Sequence, residues 1–305
     1  MTVSSTTSDH TDGNVATSKL RRHDKFWLDD GSIVLRANDD LYKVHRSLLH
    51  RHSKTLASLQ PLSSENVGWD TVDGLEVIHI PNELGVRSGD FEALLEHLYH
   101  DAPLDAEADF ARIAAVFRAS SKQQLDFPTI HARARSRIEQ LIPSNPEAFA
   151  RAHHAEEALD LAVKYDVPSI RKALYYSVAT HPHPSDVPEP QANGTVSHPE
   201  LAPDISARCD ALLDQLIAHF TPILFTVATA GHMACTDVLA EKWMPLVIQT
   251  ALDDNGLCRP LETLERIIAI DWEKEGLCAE CVKDKREEWR GEQRDVWARM
   301  DEWLS

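Results

Sequence analysis

Two pairs of soft donor atoms stand at the same spacing in the last third of the chain: His232-Met-Ala-Cys235 and Cys278-Ala-Glu-Cys281. Two ligands three residues apart can face one ion from a single turn, and structural zinc takes four cysteine or histidine donors in a tetrahedron. Gly276, just before the second pair, signals a turn. Cys258 and His219 are spare donors. The residues leave three readings open. Cys278, Cys281, Cys235 and His232 could form a structural zinc site; Cys278 and Cys281 could be a redox dithiol; or the thiols are unliganded beside a helix start, with Cys235 packed as a small apolar residue. The redox reading expects a strand in a βαβ unit before the pair, and the surroundings look helical.

Other constellations are weaker. His153-His154-Ala-Glu156-Glu157 places His153 and Glu157 on one helix face, but zinc-protease chemistry needs two histidines at i and i+4 with glutamate after the first. A solvated, salt-bridged helix start is the simpler reading. His45 has apolar neighbours, and no nucleophile with an orienting acid is signalled beside it. The 11 glycines are scattered, with no phosphate loop or dinucleotide fingerprint. Asp29-Asp30, Asp39-Asp40 and Asp253-Asp254 read as surface and turn pairs. The expectation is a protein that is not an enzyme, has no small-molecule substrate, and has no cofactor unless the cysteines hold structural zinc.

The elements that must position these residues follow from hydrophobic periodicity. Ile33 and Leu35 alternate with more polar neighbours as in a half-buried strand. Asn38-Asp39-Asp40 is a turn, and Leu41 to Val44 returns as strand. Val44, Leu48 and Leu49 then take helical spacing, so a hairpin runs into a helix that begins with a buried histidine. A second short helix spans Ser53 to Leu59. Leu75 to Ile80 is a strand closed by Pro81, and Ser88 is placed to cap a helix carrying Phe91, Leu94, Leu95 and Leu98 on one face. Phe110 to Phe117 and Ile130 to Leu141 are further helices.

This run resembles the start of a BTB (POZ) domain of the kind expanded in mushroom-forming fungi. The resemblance rests on Asp30-Gly31-Ser32 ahead of the first strand and on Val44-His45-Arg46-Ser-Leu48-Leu49, with Tyr99 alone kept from the tyrosine-threonine-glycine ending of the family's later helix. It implies an α+β interaction domain that self-associates, in which His45 is a packed structural residue. A charged pocket near the dimer interface is implied at Arg46 and Ser32, where serine replaces the usual acid and Asp30 lies two residues earlier. Recruitment of a cullin-type ubiquitin ligase and transcriptional regulation are two uses of the family.

Charge bounds the partners. The 49 acidic and 31 basic residues give a formal net charge of −18, which argues against direct phosphate-backbone binding. Arg133, Arg135 and Arg137 spread around a helix and read as a solvated face. The expected partners are proteins, including a second copy. No membrane contact is expected, because the longest apolar run, Ile223 to Ala230, is far shorter than the roughly 20 residues a span needs and reads as a buried helix. The first 18 residues, rich in serine and threonine, show no secretory pattern. Together with five cysteines they suggest an intracellular protein, cytoplasmic or nuclear. Asn193-Gly-Thr195 is then no glycosylation site.

The predicted organisation is a disordered tail over 1–22, a BTB-like α+β domain over 23–142, a helical extension over 143–180, a proline-rich linker over 181–203 and an all-helical region over 204–305. In the extension, Asn145 with Pro146 is placed to start a helix, followed by helices at Ala155–Lys164 and Ser169–Ala179. Beyond the linker, Ile205, Cys209, Leu212, Leu216 and Phe220 mark a long helix, and further helical segments follow around Ile223–Thr250, Pro260–Trp272 and Lys283 to the end. In the last, Trp289, Val296, Met300 and Trp303 form one stripe that packs within the chain or across a dimer.

Overall fold

The computed structural model describes residues 20–60, 71–142, 144–181 and 201–305. A small mixed sheet lies near the N-terminus, and the remainder is mostly helical. Two compact units emerge: one of Met1–Ala108 with Ala115–Ala132, the other of Asp109–Ala114 with Arg133–Ser305.

The first unit is built on β1 (Arg21–Trp27), β2 (Ile33–Ala37), β3 (Asp40–Val44), the short helices α1 (Arg46–His52) and α2 (Lys54–Ser58), β4 (Thr71–Val72), β5 (Leu75–His79) and α3 (Ser88–Leu98). Strand order is β1-β3-β2-β5-β4. The β2–β3 hairpin is antiparallel, pairing Ile33 with Val44 and Leu35 with Tyr42. Its turn places Asn38 at φ 53°, a left-handed conformation that asparagine tolerates. Gly31, ahead of β2, permits close approach of the chain: a Cβ there would lie 2.7 Å from Lys43 Cγ and 2.9 Å from the Lys43 carbonyl carbon. β5 runs parallel to β2. Ile33, Leu35, Tyr42, Val44, Leu49, Leu56, Phe91, Leu94 and Leu95 are buried, each large apolar side chain contributing about 1.5–3 kcal/mol. The buried Arg118–Asp90 pair adds two hydrogen bonds, at 2.8 and 2.9 Å.

Several expectations for this unit need correction. Arg21 and Arg22 belong to β1 rather than to a tail. β1 pairs in parallel with β3 across an irregular register, and its mostly polar residues Arg-Arg-His-Asp-Lys carry no strand pattern. Val44 ends β3, so α1 starts at Arg46 with His45 at its N-cap. Ser88 is the first residue of α3, not its cap, because its hydroxyl is engaged elsewhere, donating to the Ala37 carbonyl at 3.1 Å.

α4 (Phe110–Ser120) and α5 (Pro128–Leu141) contribute residues to both units. The second unit continues with α6 (Ala155–Lys164), α7 (Pro168–Ala179), α8 (Pro203–Phe225), α9 (Met233–Trp243), α10 (Gln249–Asp253), α11 (Pro260–Ala269), α12 (Trp272–Glu275) and α13 (Ala279–Trp303). Between α9 and α10 the chain widens into a π-helical turn over Met244–Ile248, where Pro245 has no N–H to give the regular ladder. No helix begins at Pro146: residues 144–154 are irregular, and α6 starts at Ala155. The Asn145 side chain instead accepts from the Glu147 N–H at 3.1 Å and closes a local turn. The stretch Ile223 to Ala230 is not a buried helix either. α8 stops at Phe225, three residues after Pro222, and Phe225 and Val227 are 45% and 39% exposed.

The extension and the C-terminal region, expected as separate segments, form one unit. Buried Tyr176 on α7 donates to Glu262 Oε2 at 2.5 Å and accepts from the Leu261 N–H at 3.0 Å, both on α11. Lys172 pairs with Asp301 at 2.9 Å. Along α13, Trp289, Val296 and Met300 are buried within the chain. The tail and the linker fall largely outside the described residues; where the latter is described again, Pro203 opens α8.

Candidate functional site

In the N-terminal unit, His45 is held by two groups. Its Nδ1 and backbone N–H both meet the Tyr99 hydroxyl, at 2.9 and 3.0 Å, and its Nε2 lies 3.2 Å from Asp30 Oδ2. A hydrogen bond from His45 holds the Asp30 carboxyl below its ordinary value, while burial raises the Tyr99 hydroxyl. His45 is thus half-buried rather than fully enclosed, and its partners are a phenol and an exposed carboxylate, not a serine or cysteine. Ser32 and Arg46 do meet, through the backbone: Ser32 Oγ accepts from the Arg46 N–H at 3.0 Å and so caps the start of α1. The Arg46 guanidinium reaches Glu76 at 3.7 Å instead. Asp30, two residues from the expected position, contributes the acid, but to His45.

In the C-terminal unit the four soft donors converge. After α8 ends, residues 226–232 are irregular, and His232 is the N-cap of α9 with Cys235 in its first turn. Thr236 fastens this entry, its hydroxyl accepting from the Ala230 N–H at 2.9 Å. Separately, Asp271 caps α12, and the chain reverses at Gly276 with φ 115°. The Leu277 N–H bonds the Trp272 carbonyl at 2.9 Å, and Cys278 is then the N-cap of α13, with Cys281 in its first turn. Both pairs occupy equivalent places, N-cap and N3, at the starts of two helices.

The ligand atoms of His232, Cys235, Cys278 and Cys281 all lie within 4.8 Å of one another. His232 Nδ1 is 3.3 Å from Cys278 Sγ and 3.5 Å from Cys281 Sγ, and the Cys235 and Cys278 sulfurs are 3.8 Å apart. Cys235 and Cys281 are buried, Cys278 is partly so, and His232 is exposed. Buried Trp243, Trp272 and Trp289 belong to the same apolar cluster as the two buried cysteines. The Cys278 thiol is pulled down to about 7, chiefly by the Cys281 backbone N–H and then by the His232 ring, whereas burial pushes the Cys281 thiol up. All five cysteines are free. Such a donor set can hold a borderline-soft metal ion or, without one, undergo thiol–disulfide exchange.

The other candidates do not join this cluster. His219 pairs with Glu292 at 2.9 Å, and Cys258 lies in a short 3-10 turn ahead of α11. His154 stacks on Phe110 at 5.1 Å, and Arg151 pairs with Glu156 at 2.9 Å, as a structural helix start would. Sequence reasoning had no signal for a cleft of about 460 Å³ beside Trp243 and Trp289, because its lining is drawn from α8, the 226–229 loop, α11 and α13. Its carboxylates, Glu288 and Glu292, are engaged by Lys285 and His219.

Compared with known proteins, the chain matches no family model, no curated protein and no solved structure. Among the described residues no helix is long and apolar enough to cross a membrane.

Proposed function

We propose that this chain is a non-enzymatic protein–protein interaction module whose N-terminal unit is BTB-like and self-associates. The observation that carries the reading is the order and pairing of that unit's elements. A β2–β3 hairpin feeds α1 at Val44-His45-Arg46, α2 follows, β5 returns parallel to β2, and α3 closes the run with Tyr99 at its C-cap. This is the succession that the resemblance implies. The use of His45 as a tether between Tyr99 and Asp30 also supports a packing role over a catalytic one.

The partners are proteins: a second copy, and one or more recruited chains, among them a cullin-type ubiquitin-ligase scaffold. With a formal charge of −18, any role in transcription runs through a partner that itself binds DNA. The free cysteines support a reducing compartment, cytoplasm or nucleus.

Light scattering on the full chain over a hundredfold concentration range tests self-association. A dimer mass is expected, since an interface of the usual size, about 1,200–2,000 Å², sustains a stable pair. A monomer mass at every concentration would refute the reading.

A further inference from the structure

The cluster of His232, Cys235, Cys278 and Cys281 lies in the C-terminal unit and owes nothing to the interaction reading above. We propose that these four side chains bind a single Zn²⁺ ion in a closed, structural site. Metal geometry provides the first argument. With Zn–S near 2.3 Å and Zn–N near 2.05 Å, a regular tetrahedron has edges of about 3.8 Å between two sulfurs and about 3.5 Å between sulfur and nitrogen. The Cys235–Cys278 edge is 3.8 Å, and the two edges from His232 Nδ1 are 3.3 and 3.5 Å. A disulfide would bring two sulfurs to about 2.05 Å.

Chemistry provides the second. Three thiolates and an imidazole suit zinc and reject magnesium and calcium, which want oxygen. Four donors within 4.8 Å are too close together to divide between two irons of a binuclear iron–sulfur cluster. With all four positions filled by protein there is no open site for water or substrate, so the ion serves structure rather than Lewis-acid catalysis.

Electrostatics and the surrounding apolar packing provide the third. Three thiolates, a neutral ring and Zn²⁺ leave one net negative charge. The N-termini of α9 and α13, of 11 and 25 residues, both face it with their positive ends. Trp243, Trp272 and Trp289 share one apolar cluster with buried Cys235 and Cys281, while His232 is exposed and Cys278 partly so, which leaves a path by which the ion enters. The bound ion fastens the loop after α8 and the start of α9 to the start of α13, segments more than 40 residues apart.

The test uses the full chain purified without chelators. Elemental analysis should find about one zinc per chain. Cys281→Ser should lose it, and Cys258→Ser, outside the cluster, should retain it. Because loss of a buried cysteine can also unfold the unit, a second measurement starts from wild-type protein stripped under reducing conditions. Titration with Co²⁺ should give the intense visible bands of a tetrahedral site and thiolate-to-cobalt charge transfer, saturating at one equivalent. His232→Ala should weaken retention by more than the roughly 10–100-fold that loss of an outer-shell partner costs. Folded protein with no zinc, an iron signal in place of zinc, an octahedral cobalt spectrum, or zinc lost equally on Cys258→Ser would each overturn the assignment.

Discussion

Tyr176→Phe is the sharpest test of whether the helical extension and the C-terminal helices fold as one body. The substitution removes one oxygen at nearly constant volume, and the ring keeps its edge-on packing against Phe149 at 4.9 Å. Two interactions disappear. The Leu261 N–H, in the first turn of α11 with no intrahelical acceptor, loses its 3.0 Å partner in a place water does not reach, since Leu261 and Tyr176 are both buried. Leaving such a donor unmet costs about 1–3 kcal/mol. Glu262 loses a 2.5 Å charge-assisted bond, worth roughly 1.5–3 kcal/mol, but it is half-exposed and rehydrates, which offsets part of that. The net expectation is about 2–4 kcal/mol, or a fall in Tm of roughly 5–15 °C for a unit of this size. Five of the seven tryptophans lie beyond residue 133, so urea denaturation followed by their fluorescence reports this unit, with zinc held constant because a bound ion shifts apparent stability. Glu262→Ala in the same background should show a coupling energy of about 1 kcal/mol or more. A loss under about 0.5 kcal/mol, additive effects in the cycle, or two separate transitions would refute the single-body reasoning.

Two further outcomes concern the N-terminal unit. Arg118→Met strips Asp90, whose side chain is only 6% exposed, of both its guanidinium bonds and should cost about 3–5 kcal/mol, with Asp90→Leu/Arg118→Met recovering most of it; a single-variant loss below about 1 kcal/mol in chemical denaturation would count against a buried pair. His79 has its pKa lowered by burial and then by Arg36, so the folded chain takes up that proton at lower pH than the unfolded chain, whose histidines titrate near 6.5. The stability that the neutral ring confers is full above that value and is lost as pH falls from it through the folded value. Denaturation curves between pH 7.5 and 5 should therefore be flatter for His79→Gln, and an unchanged slope would exclude His79 as a contributor.

The parts of the fold legible in the sequence are those whose own periodicity decides them. α8 carries Ile205, Cys209, Leu212, Leu216 and Phe220 on one face, all of them buried. The β2–β3 hairpin shows as two apolar runs around Asn38-Asp39, but both faces of the two strands are buried apart from Arg36 and Lys43, so the alternation expected of a half-buried strand is absent. Where tertiary contacts decide, the pattern fails. β1 is extended because its backbone pairs with β3 and Phe26 enters the core, while its other residues stay largely polar and outward. Asn145-Pro146 has the chemistry of a helix start, yet the asparagine satisfies a turn instead. The run after Ile223 is apolar enough to look buried, but its helix ends at Phe225 and the loop beyond must reach the start of α9.

The two pairs of soft donors are legible for a related physical reason. At 3.6 residues per turn, the N-cap and N3 positions lie on the same side of a helix start. Two donors three residues apart therefore converge wherever a helix begins, and Gly276 announces one such beginning while the break after α8 supplies the other. What spacing alone does not contain is that the two helix starts meet. That depends on tertiary packing, in which Trp243 at the end of α9, Trp272 and Trp289 have ring centroids 5.7–6.4 Å apart. Enlarging or emptying that tryptophan cluster should loosen the four-ligand geometry without touching a ligand. If the four side chains hold zinc as proposed, the affinity for it would report how well the second unit's core is packed.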